Sequence, residues 1–272
     1  MEYKANREAR CDLKKVSMMF GLLLVAVVGL LSASRAQNGH SIWRTYWSYE
    51  GPKGPSHWAE LDSEYAACNG KEQSPIDIRN AQKADLPPLK FDFKTAPLQN
   101  YINNVYTVRV NYHAPGSGDF MTVGDTRYQL VQFHFHHPGE EAVNGKRYPM
   151  VLHYMFTSDD GKVVGLAVFL EKGAANATVQ KLWDHMPKNV NYENDVPGVE
   201  INPADMLPSN TSSYYEYMGS VSAPPCTEGV KWFVLKTPVP ISAEQIATFA
   251  KLWPNDARPV QPLNGRVVQE SR

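Results

Sequence analysis

The segment RYQLVQFHFH, residues 127–136, decides the fold. Aromatic and aliphatic residues alternate with polar ones, and the alternation runs cleanly through Gln132, Phe133, His134, Phe135 and His136. Side chains of a β-strand repeat every two residues, so His134 and His136 face one side and Phe133 and Phe135 the other. Such a strand turns an apolar face to a core and presents a polar face that can carry chemistry. Comparable segments flank it: VYTVRVNY (105–112), PMVLHYMF (149–156), KVVGLAVFLE (162–171) and VKWFVLK (230–236). Each is rich in β-branched and aromatic residues and is bounded by turn formers. SDDG at 158–161 reads as a hairpin turn between two of them. Helical periodicity is confined to residues 175–186 and 242–253, and Ser242 with Gln245 has the spacing of a capping box. Pro-rich stretches at 47–62, 187–210 and 254–265 read as loops. The pattern predicts one mostly-β domain with a few short peripheral helices.

Composition agrees with a folded chain. Of 272 residues 43% are apolar and 20% charged, and the net charge is −1. A sizeable core is available, and no charge excess points to nucleic acid as a partner. The N-terminus has its own signature. Lys4, Arg7, Arg10, Lys14 and Lys15 precede an uncharged run, VSMMFGLLLVAVVGLL (16–31), and SASRA places Ser34 and Ala36 before a cleavage point. This order of basic, apolar and small-residue regions predicts a signal peptide over 1–36, export to the periplasm or medium, and a mature domain over 37–272 with no membrane span. The rival reading is a retained anchor, although 16 apolar residues fall short of the ~20 that span a bilayer. The mature chain keeps two cysteines, Cys68 and Cys226, an even number that suits a disulfide in an oxidising compartment. Two buried free thiols are the alternative.

His153 lies in the strand that follows the His134/His136 strand and can bring a third imidazole to the same face. Three neutral imidazoles on a rigid sheet leave one tetrahedral position open, the layout of catalytic rather than structural zinc. A His-x-His pair also occurs as ordinary hydrogen-bonded surface or core residues, so spacing alone leaves both readings open.

Five separated motifs sharpen the choice: WSYEGPKGPSHW (47–58), KEQSPIDI (71–78), QFHFHHPGEEAVNGK (132–146), GSVSAPPCTEGVKWFVLK (219–236) and RPVQPLNGR (258–266). In this order they closely resemble the α-class carbonic anhydrases, particularly exported bacterial ones, over nearly all of residues 43–268. The resemblance implies a single domain on a large twisted, mainly antiparallel sheet, with Zn2+ at the bottom of a conical cleft. It implies His134, His136 and His153 as metal ligands, Gln132 as the amide orienting the first of them, and a Cys68–Cys226 disulfide. It implies Ser222 as the gatekeeping hydroxyl with Glu140 as its carboxylate partner. Val221, Trp232, Met155 and Gly165 would form the apolar carbon dioxide pocket, with Tyr49 matching an active-site tyrosine. The implied activity is reversible hydration of carbon dioxide to bicarbonate by a zinc-bound hydroxide, an effect of the metal for which carbonic anhydrase is itself the reference example. Side esterase activity and inhibition by sulfonamides or anions would accompany it. A catalytically silent binding module of the same fold is the competing function, and a zinc hydrolase of small esters is a third.

The chain departs from the family pattern in several places. A Glu commonly precedes the third ligand by two residues and takes that histidine's second N–H; here the position is Val151, which accepts nothing. Such partners are worth about 10–100-fold in metal affinity or activity, a range drawn partly from carbonic anhydrases themselves. A backbone carbonyl, a water or Glu141, which stands where a histidine is common, is left to replace it. The usual shuttle histidine corresponds to Tyr106, and a phenol of pKa near 10 is a poor relay at neutral pH; His137, His113 or buffer are the substitutes. Ser222 replaces a threonine, keeping the hydroxyl and losing the methyl that stiffens it. These changes predict an active but slower enzyme.

Overall fold

A computed structural model describes residues 46–112 and 118–272; the expected signal peptide and His113 lie outside them. Twelve strands join in one sheet among these residues. In chain order they are β1 (Gln82–Ala84), β2 (Leu89–Asp92), β3 (Tyr101–Asn103), β4 (Val108–Asn111), β5 (Phe120–Val123), β6 (Thr126–His136), β7 (Met150–Thr157), β8 (Val163–Lys172), β9 (Glu193–Asn194), β10 (Tyr214–Ser220), β11 (Glu228–Ile241) and β12 (Gln269–Ser271). Hydrogen-bonded neighbours run β9-β3-β4-β6-β7-β8-β11-β10-β12-β1, and β2 with β5 branches from β6. Pairing is antiparallel except for β8 with β11 and β12 with β1. A parallel pair needs a long crossover. The chain between β8 and β11 supplies it, carrying helix α2 (Ala177–Asp184) and β10.

The periodicity of the opening segment is realised as two faces. Phe133 and Phe135 of β6 join Leu152, Tyr154 and Phe156 of β7, Leu166 and Val168 of β8, and Phe233 and Leu235 of β11 in the main core. Burying each of these large side chains stabilises the fold by about 1.5–3 kcal/mol. Helices α2 and α3 (Ala243–Leu252) cover this face with Val179, Leu182, Trp183 and Phe249. The capping box forms as its spacing requires: Ser242 Oγ accepts from Gln245 N at 3.1 Å, and Gln245 Oε1 accepts from Ser242 N at 3.0 Å. The opposite face of the same strands carries a second cluster containing Val151, Met155, Ala167, Phe169, Trp232 and Val234. That face holds the histidines.

Two of the stretches read as loops contain short elements. Residues 47–62 include a one-turn helix, α1 (Trp58–Leu61), and 187–210 include β9. Among the described residues no helix is long and apolar enough to cross a membrane.

Candidate metal centre

Strand register assembles the site. Across β4, β6, β7, β8 and β11 one row of paired residues runs Arg109, His134, His153, Ala167, Val234. The adjacent row runs Asn111, Gln132, Met155, Gly165, Trp232. Paired residues share a face, so polar groups gather at one side of the cleft and apolar ones at the other. His136 follows His134 on the same face. Potential ligand atoms of His134, His136 and His153 lie within 4.8 Å of one another. His136 and His153 are buried, 2% and 0% exposed.

Each ring has one nitrogen held by an acceptor. His134 Nδ1 donates to Gln132 Oε1 at 2.8 Å, His136 Nδ1 to the Asp256 carbonyl at 2.6 Å, and His153 Nε2 to the Glu141 carboxylate at 3.0 and 3.2 Å. All three partners are acceptors, which places the proton on the held nitrogen and leaves the opposite nitrogen a bare lone pair. His136 Nε2 and His153 Nδ1 are buried and have no hydrogen-bond partner among the described residues. An unpaired buried polar atom costs about 1–3 kcal/mol, and two of them pointing together, beside a third imidazole, fit a metal ion. Burial, then the neighbouring His136, His153 and Arg109, holds the His134 pKa well below its ordinary value. Its ring stays neutral, as a ligand must.

Glu141 therefore stands in for the missing strand carboxylate. It reaches His153 from the segment after β6, while Val151 is fully buried and packs among apolar side chains.

Glu140 is completely buried. Its Oε1 accepts from the Arg258 backbone N–H at 2.8 Å. Its Oε2 has no hydrogen-bond partner among the described residues and lies 3.6 Å from His136 Nε2 and 3.9 Å from His153 Nδ1. Ser222 is buried, 5% exposed, in the turn after β10, where the Pro224–Pro225 peptide is cis. A disulfide joins Cys68 to Cys226. The fully buried Arg258 ties these parts together: Nη1 donates to Gln73 Oε1 and the Ser74 carbonyl, and Nη2 to the Cys68 carbonyl. Burial pulls its pKa down to about 10, against the pull of Glu140 and Tyr49, so it remains a cation at neutral pH. Sequence reading gave no role to Arg258 or to Asp256. Arg258 opens one of the five motifs, which was the available signal; the Asp256 contact runs through a backbone carbonyl and carries none.

Trp232, Met155 and Val221 come together in the cluster beside the histidines, and Trp232 stands 4.7 Å from the His153 ring centre. Gly165 lies against the Trp232 ring, and a Cβ there would sit 2.6 Å from it, so only glycine fits. Tyr49 packs edge-on to Trp47 and Trp58. Burial, then the charges of Glu140 and Asp256, pushes its phenol well above the ordinary range. Tyr106 stacks on Trp47 with ring centres 3.7 Å apart and 3° between planes. Burial raises its pKa as well, so it stays protonated near neutrality. His137 Nδ1 donates to the Pro254 carbonyl at 3.0 Å.

A three-histidine centre on the second face of a large mixed sheet, lined by a buried glutamate and an apolar wall, defines a metalloenzyme class. The profile of the eukaryotic-type carbonic anhydrases matches residues 53–272, and the chain belongs to that family of enzymes. It is 38% identical to the carbonic anhydrase of Nostoc sp. (strain PCC 7120 / SAG 25.82 / UTEX 2576) over 255 residues, 92% of this chain and 95% of the relative. It is 40% identical to the carbonic anhydrase of Klebsiella pneumoniae over 233 residues, 85% and 93% of the two chains. Among solved structures it resembles the α-carbonic anhydrase of Thermovibrio ammonificans in complex with sulfanilamide, with a TM-score of 0.76, 40% identity, and coverage of 84% of this chain and all of that one.

Proposed function

We propose that this chain interconverts carbon dioxide and bicarbonate with a zinc ion held by His134 Nε2, His136 Nε2 and His153 Nδ1. The observation that carries the reading is three imidazoles whose potential ligand nitrogens lie within 4.8 Å of one another, each ring fixed by an acceptor on its other nitrogen. Zinc bound there supplies a Lewis acid that activates water at neutral pH. The chain supplies orientation and exclusion. Glu140 Oε2 is an open acceptor at the site, suited to take the Ser222 O–H. With its proton committed to Glu140, Ser222 Oγ accepts a hydrogen bond from the attacking oxygen and turns a lone pair toward carbon, a positioning effect. Trp232, Met155 and Val221 form an apolar wall for the uncharged substrate, and the absent side chain at Gly165 lets Trp232 sit close. Tyr106 keeps its phenol proton near neutrality, which makes it a poor proton relay there.

The disulfide and the sequence of residues 1–36 together support export, with cleavage after Ala36. Sulfonamide inhibition and a minor esterase activity follow from the same centre. Stopped-flow hydration of carbon dioxide by zinc-loaded protein tests the reading: turnover that sulfanilamide abolishes and that His153→Ala removes is expected. Protein carrying a full complement of zinc with no turnover above the uncatalysed rate would instead favour the silent binding module.

A further inference from the structure

Arg109 is the feature of the cleft that the reaction above does not use. It pairs with His134 across β4 and β6 and so shares the face of the metal ligands. It begins the polar end of the row whose other end is Ala167 and Val234. Its Nε–H is buried and has no hydrogen-bond partner among the described residues. Of the neighbouring amides, Asn111 Nδ2 donates to Glu193 Oε1 at 2.5 Å, and Gln132 Oε1 accepts from His134. Burial pulls the Arg109 pKa below its ordinary value, and Glu193 pulls it back up.

A guanidinium does not deprotonate at physiological pH, and its parallel N–H groups match the two oxygens of a planar oxyanion. Carbon dioxide is apolar and suits the Trp232 end of the cleft; bicarbonate is a planar monoanion and suits the Arg109 end. We propose that Arg109 is an anion-holding group of this cleft, binding bicarbonate and other planar monovalent oxyanions beside the metal site. The choice of bicarbonate rests on the carbon dioxide reading; the anion site itself does not.

Calorimetric titration of zinc-loaded protein with bicarbonate and with nitrate tests this. Arg109→Gln should weaken both anions about tenfold, the loss of roughly 1.4 kcal/mol. Arg109→Lys, which keeps the charge and loses the fork, should weaken them about threefold, and Lys251→Gln on the exposed side of α3 should change nothing. Zinc content and carbon dioxide hydration are measured on the same preparations. Wild-type anion affinity in zinc-replete Arg109→Gln would overturn the proposal, since an anion held by metal alone is indifferent to residue 109. An equal loss in Lys251→Gln would overturn it too, by reducing the effect to general charge. Arg109-dependent nitrate binding without carbon dioxide hydration would sink the enzymatic reading and leave the anion site standing.

Discussion

Glu141 and Val151 show how a lost side chain is replaced from another part of the chain. The orienting carboxylate comes from the segment after β6 instead of from β7, and it meets the same imidazole nitrogen at hydrogen-bond distance. Replacing Glu141 with Gln keeps shape and removes charge, so zinc affinity, read by competition with a chelator, should fall about 10–100-fold; adding Val151→Glu should restore part of it. Unchanged affinity in the single variant would show that the contact is incidental. The histidine trio was legible in sequence because period-two alternation forces His134 and His136 onto one face. Glu141 was legible only as one candidate among several, because the path of a loop is not written in any period. Val105 is a second residue-scale case. Its φ is +77° and its side chain is 43% exposed, a left-handed conformation costly for a β-branched residue. Its carbonyl accepts from Trp253 Nε1 at 2.9 Å, and its N–H donates to Asn103 Oδ1 at 3.0 Å, which hold it there. Val105→Gly should therefore stabilise the protein by about 0.5–1 kcal/mol in denaturant unfolding, relief of strain outweighing the entropy of glycine. A loss of stability would mean that the valine side chain contributes packing beyond its exposed position.

At the scale of elements, three of the five strand readings fall within two residues of the observed ends: 127–136 against Thr126–His136, 149–156 against Met150–Thr157, and 162–171 against Val163–Lys172; 230–236 covers only the middle of Glu228–Ile241, and 105–112 overruns Val108–Asn111. The SDDG turn lies where expected, with Gly161 N–H donating to the Ser158 carbonyl at 2.9 Å. β10 was missed, although Tyr214 and Tyr217 are buried in it; its Glu216 and Gly219 interrupt the pattern that marks a strand. The parallel join of β8 to β11 was equally invisible, because partner choice between distant segments follows from packing and not from local composition. Helix ends were readable because capping is local chemistry. Ser242→Ala removes the acceptor for Gln245 N and should cost about 1 kcal/mol in unfolding free energy without altering zinc content. A loss of zinc with that substitution would mean that α3 supports the site more directly than through the core.

Across the whole molecule, the Cys68–Cys226 bond closes a loop of 158 residues that contains β1 to β10 and every histidine of the site. The chain-entropy relation gives on the order of 5 kcal/mol for a loop of this length. The bond also anchors the buried network in which Arg258 contacts the Cys68 carbonyl and Gln73 donates to the Cys226 carbonyl at 3.1 Å. The double variant Cys68→Ser with Cys226→Ser should therefore unfold at markedly lower denaturant concentration and lose carbon dioxide turnover before it loses secondary structure by circular dichroism. Coincident loss of both would show that the disulfide acts on global stability alone.

The central claim is that three imidazoles of one sheet face hold a single zinc ion, and X-ray absorption at the zinc edge on purified protein with measured metal content tests it most directly. The account predicts one zinc per chain with three imidazole nitrogens at about 2.0–2.1 Å and one further light ligand. Sulfur in the coordination sphere, fewer than three imidazoles, or zinc well below one per chain would contradict it.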